Sequence, residues 1–103
     1  MSTVTDRFTI HFPTDYDAQS EYETPSRGYL SGVIVQLEAG TRFPIFFIDP
    51  VRLQQDMEAL VKCGKTCLAE VNMVVLPEVT TESIRTAVGE LVKEGFFQHL
   101  KPL

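Results

Sequence analysis

Gly64-Lys65-Thr66 reproduces the end of a phosphate-binding loop, in which backbone amides opening a helix cradle a phosphate and the lysine reaches its outer oxygens. The match stops there. The motif's first glycine would fall at position 59, which is Ala59, and the tripeptide follows a helical pattern where the motif requires it to open one. A helix C-terminus accounts for all three residues.

Cys63 and Cys67 flank that helix stop four apart, which is not the redox C-x-x-C, and two cysteines are not a zinc framework, which needs four ligands. The remaining soft ligands, His11 and His99, stand near opposite ends of the chain, so no metal or cofactor is expected. Cys67 reads as a small core residue and Cys63 as a half-buried one. His11 would serve as a general base only if a carboxylate oriented it. It has no partner nearby in sequence, and it reads as a surface strand histidine. A ligand pocket or enzyme site using His11 or Arg52 is the third-ranked functional expectation.

Acids and tyrosines are mixed in Asp15-Tyr16-Asp17 and again in Glu21-Tyr22-Glu23. The alternating aspartates resemble the start of a calcium loop, but the closing glutamate is missing: Ser26 stands in its place. Tyrosine combines apolar area with a hydroxyl, and flanking carboxylates steer a basic surface toward it. Asp15, Tyr16, Asp17, Glu21, Tyr22 and Glu23 are therefore the expected partner-binding residues.

The net charge of −5 arises largely in this stretch, because no basic residue lies between Pro13 and Ser26. An acidic chain without a run of Lys and Arg is poorly suited to a phosphate backbone, so nucleic acid is not an expected partner. The longest apolar run, Phe43–Ile48, falls far short of the ~18 residues of a membrane span. The first residues lack the pattern of a signal peptide, and a cytoplasmic location is expected. At 103 residues one domain is expected, 1–103.

The elements that must position these groups follow from periodicity. Phe8, Ile10 and Phe12 alternate with Arg7, Thr9 and His11, which is a half-buried strand. Residues 13–27, rich in Asp, Glu, Ser, Thr and Pro, read as a long mobile loop. Tyr29–Leu37 is a second strand and Arg42–Ile48 a third, joined by a short hairpin connection at Gly40. Pro44 cannot donate to a ladder, so that end of the third strand belongs at an edge or bulge.

Asp49 caps and Pro50 opens a helix with the stripe Leu53, Met57, Leu60 and Val61, ended by Gly64. A fourth strand is expected over Ala69–Leu76, with Ala69, Val71, Met73 and Val75 inward. Thr80 then caps a second helix whose stripe is Ile84, Ala87, Val88, Leu91 and Val92, closing at Gly95.

The order β-β-β-α-β-α predicts an α+β two-layer sandwich, a four-stranded mixed sheet with both helices on one face and the third and fourth strands parallel. The uncovered face would then carry Ile34, Phe46 or Phe47, Ile48 and Val74, and apolar patches of that kind mark interfaces. Ile34, Phe46, Phe47, Phe96 and Phe97 are the expected oligomer contacts, with one of Phe96 and Phe97 filling the core. The first functional expectation is thus a non-catalytic regulatory, inhibitory or accessory module that docks on a basic protein surface through the acidic-aromatic segment. Self-association through the open sheet face is the second.

Overall fold

The structure is a computed structural model that describes residues 8–103. Arg7, expected at the start of the first strand, lies outside the described residues. The elements are β1 (Phe8–His11), α1 (Ala18–Arg27), β2 (Tyr29–Leu37), β3 (Arg42–Ile48), α2 (Pro50–Lys62), β4 (Met73–Val75), α3 (Thr81–Lys93) and a closing 3-10 turn (Phe96–His99). The class is α+β. The four strands form one mixed sheet in the order β1-β2-β3-β4, antiparallel at the first two junctions and parallel between β3 and β4.

The alternation read from β2 and β3 places the core. Val33, Val35, Phe43, Ile45 and Phe47 all project to one face and are buried there together with Ile84 and Val88 of α3. Thr80 caps α3 by accepting from the Ser83 amide, and the Ser83 hydroxyl accepts from the Thr80 amide in return. Phe97 closes the end of this layer edge-on to Phe43, with ring centroids 5.3 Å apart.

Helix placement differs from the expected single layer. The reverse-face residues Phe46 and Ile48 line a common cleft with Asp56, Ala59 and Leu60 of α2, and Arg52 of α2 stacks over the Tyr29 ring at 4.6 Å. The two helices therefore attend opposite faces of β3. Consecutive residues Phe46, Phe47 and Ile48 can all be apolar because both sides of that strand are partly or wholly covered.

Two local expectations are corrected. Residues 18–27 form a helix where a loop was expected, so the element order gains α1 between β1 and β2. The cause is its inner stripe, Ser20 and Thr24, which is hydroxylic and so carries no apolar period. Asp17 caps it, and Gly28 ends it at φ 80°, with the Gly28 amide donating to the Thr24 carbonyl. The fourth strand is also short, and its inward residues are Val74 and Leu76, while Val71 and Val75 are exposed. Asn72 takes a left-handed conformation at φ 57°, which interrupts the run and resets the alternation after Val71. Val74 thereby belongs to the α3 side and not to the reverse-face patch.

One edge of β3 accounts for a single row of backbone groups. Leu103 donates to the Arg42 carbonyl, the Asn72 side chain donates to the Pro44 carbonyl, Phe46 donates to the Asn72 carbonyl, and Leu76 donates to the Ile48 carbonyl. Pro44, which lacks an N–H, falls in this row ahead of the point where β4 begins pairing at Phe46, as its chemistry demands.

Candidate functional site

The acidic-aromatic residues split into two groups with different jobs. Tyr16 and Asp17 hold the segment in place. The Tyr16 ring stacks on Phe12 with centroids 5.1 Å apart, and its hydroxyl lies 2.8 Å from Thr81 Oγ1 at the start of α3. Asp17 accepts from the Ser20 amide at 2.9 Å, and this bond to the charged form holds its carboxyl below the ordinary aspartate value. The Asp15 carbonyl accepts from both the Asp17 amide and the Ser20 hydroxyl.

The outward side of α1 carries the second group. Thr24 faces inward, is buried, and satisfies its hydroxyl by donating to the Ser20 carbonyl at 2.6 Å. With that side fixed against β2, helical geometry turns Glu21, Tyr22 and Glu23 to solvent. Tyr22 is 85% exposed, the most exposed of the large hydrophobic side chains among the described residues. Glu23 lies 3.7 Å from Arg27 and accepts from Gln19 at 3.2 Å, contacts along the exposed helix surface. The result is a phenol ring between two carboxylates, held by a capped helix.

The expected oligomer residues also divide. Phe47 is fully buried and Phe97 is 3% exposed, so both belong to the core and neither offers an outer surface. Phe46 and Ile34 are half-buried on the reverse face, and Phe96 is half-buried beside Phe97. Phe46 packs against Tyr29 at 6.3 Å, while Ile34 pairs with Pro44 and His11 at the far end of the same face.

His11 is exposed, and its Nε2 lies 3.0 Å from Gln36 Oε1. A neutral amide oxygen is thus its partner in place of the carboxylate that would tune a general base. Arg52 is engaged by Asp56 at 2.9 Å, by the Arg27 carbonyl at 3.3 Å and by the Tyr29 ring. Cys63 and Cys67 are both exposed, which corrects the core position expected for Cys67 and the half-buried one expected for Cys63. Residues 65–70 run as irregular chain outside the sheet because the strand begins only at Met73. Among the described residues no group of three or more His, Cys, Asp and Glu side chains is placed to hold a metal ion, and no helix is long and apolar enough to cross a membrane.

Asn72 was not among the expected site residues. Its Nδ2 donates to the Pro44 carbonyl at 3.0 Å and to the Lys101 carbonyl at 2.7 Å, and its Oδ1 accepts from the Lys101 amide at 3.0 Å. The available signal was an asparagine, tolerant of the left-handed region, set between Val71 and Met73 in an otherwise strand-like run.

No protein-family model, curated protein or solved structure matches this chain.

Proposed function

We propose that the chain is a non-catalytic, cytoplasmic protein-interaction module, of regulatory, inhibitory or accessory type, that docks on a basic protein surface through the outward side of α1. Tyr22 carries the proposal: a ring left 85% exposed on an ordered helix, between Glu21 and Glu23. A rigid aromatic anchor loses little conformational freedom on binding, and neighbouring carboxylates raise the encounter rate with a cationic surface. Asp15, exposed just ahead of the helix, adds a further carboxylate to the segment, while Tyr16 and Asp17 act as its scaffold.

The test is a salt-stepped capture from cell extract with the native chain, with a variant carrying Asp15→Asn, Glu21→Gln and Glu23→Gln, and with Tyr22→Ala. Asp17 is left intact because it caps the helix. A protein held by the native chain, released by salt and lost with either variant supports docking through α1. Equal retention by all three overturns it.

A second reading is self-association through the reverse face, favoured by the half-buried Ile34 and Phe46. It expects a dimer in sedimentation that is insensitive to salt and broken by Phe46→Asp. A monomer at high concentration removes it.

A further inference from the structure

The β4 side of β3 is covered in two pieces. β4 itself pairs only with Phe46, Phe47 and Ile48, which leaves the Arg42–Pro44 half of that edge without a strand of the sheet. Residues 101–103 fill this half. They run antiparallel to β3, with Lys101 bound through Asn72 beside Pro44 and the Leu103 amide bonded to the Arg42 carbonyl at 2.8 Å. All three residues are exposed, and the Leu103 side chain is 73% so.

Asn72 reads the main chain of this segment. Its amide donates to the Lys101 carbonyl and accepts from the Lys101 N–H, a two-point contact with one residue's peptide groups that takes no account of the side chain. Asn72 itself does not depend on the segment for its position. It is anchored to β3 by its second amide hydrogen on Pro44 and by its carbonyl on the Phe46 amide. If residues 101–103 left, one amide hydrogen and Oδ1 of a 9% exposed side chain would lose their partners, which favours a replacement with the same main-chain groups.

We infer that the Arg42–Pro44 edge of β3, with Asn72 as its clamp, is a binding site for an extended peptide that adds as a strand, and that residues 101–103 occupy it in cis as a displaceable cover. Strand addition to an exposed sheet edge draws its affinity from main-chain hydrogen bonds. The resident segment defines what fits. One residue supplies both N–H and C=O to Asn72, the next needs no N–H and is here Pro102, and the third donates to Arg42. This site is separate from the α1 surface and does not depend on the function proposed for it.

The cis segment competes at high effective concentration, so the test weakens it within the 103-residue chain. Lys101→Pro removes the N–H given to Asn72, and Leu100 already has the extended backbone, φ −97° and ψ 163°, that a residue before proline adopts. An acetylated peptide of residues 99–103 is titrated into this variant while the Asn72 side-chain amide signals are followed by NMR. Saturable shifts are expected. A peptide N-methylated at its lysine should bind about tenfold more weakly, and one with glutamine for lysine should bind as well as the parent. In the native chain, excess peptide should speed hydrogen exchange at the Lys101 and Leu103 amides. Absence of saturable shifts in the variant, or equal binding of the N-methylated peptide, overturns the inference.

Discussion

The Tyr16 hydroxyl meets Thr81 Oγ1 at 2.8 Å, joining the turn before α1 to the first residue of α3 across most of the length of the chain. The contact is half-buried, and the Tyr16 ring is already fixed by Phe12, so little additional freedom is lost in making it. Tyr16→Phe keeps the ring and removes the hydroxyl. It should cost about 1 kcal/mol in urea denaturation. Because α1 is anchored through this residue, hydrogen exchange in α1 should rise more than in β2 or β3. An unchanged exchange pattern would mean that Thr24 and Gly28 alone position the helix.

Gly28 sits where three elements meet. Its φ is 80°, its carbonyl accepts from the Asp49 amide at 2.8 Å, and an added Cβ would lie 2.9 Å from Arg52 Cβ and from both Asp49 carboxylate oxygens. Asp49 is meanwhile the cap of α2, accepting from the Arg52 amide. Gly28→Ala therefore combines left-handed strain with a displaced cap, and should cost about 2–4 kcal/mol in chemical denaturation. A loss below ~0.5 kcal/mol would show that the junction yields freely, since that is the range of neutral surface changes.

Much of this architecture was legible because it rests on apolar periodicity or on capping chemistry. Val33 and Val35 against Ile34, Asp49-Pro50 opening α2, and Ile84 and Val88 along α3 all followed from side-chain type at fixed spacing. The α1 helix was not legible by that route, because its buried stripe is Ser20 and Thr24 and because Pro25, which cannot donate to the Glu21 carbonyl, reads as a breaker. The structure defines its ends by Asp17 as cap and Gly28 as stop, with Glu23 and Arg27 paired four apart along its surface. For the candidate surface, local sequence named Tyr22 and its flanking acids but could not separate them from Tyr16 and Asp17. That distinction depends on Phe12 and Thr81, contacts made by the fold. Asn72 was hidden for the same reason, since its partners Pro44 and Lys101 are remote in sequence.

Asp17 gives α1 a pH dependence with a definite sign. The Ser20 amide bonds the ionised carboxylate, so the folded-state pKa lies below the unfolded one. A depressed carboxylate contributes stability that is fully present above its unfolded value of about 3.9 and is lost as pH falls through the lower folded value. The Ser20 amide shift should accordingly titrate with a midpoint below that of an aspartate in an unfolded peptide. Asn is an equally good cap, so Asp17→Asn should keep the helix and abolish the titration. A midpoint at or above the unfolded value would contradict the capping geometry.

Asn72 carries two separable burdens, a left-handed backbone at φ 57° and three side-chain hydrogen bonds that bridge β3 and Lys101. Asn72→Gly relieves the first and deletes the second, and should cost about 2–3 kcal/mol. Asn72→Ala deletes the bonds and keeps the strain, which adds about 1 kcal/mol in the folded state. Part of that difference is offset because the glycine variant gains more freedom when unfolded. The order of stability should therefore be native, then Gly, then Ala, by a modest final step. Exchange at the Lys101 amide should rise in both variants, since its acceptor has gone, while the Leu76 amide, bonded to Ile48 farther along the same edge, should stay protected. If Asn72→Gly were as stable as the native chain, the bonds to Pro44 and Lys101 would contribute nothing net, and the 101–103 segment would rest on the Arg42 contact alone.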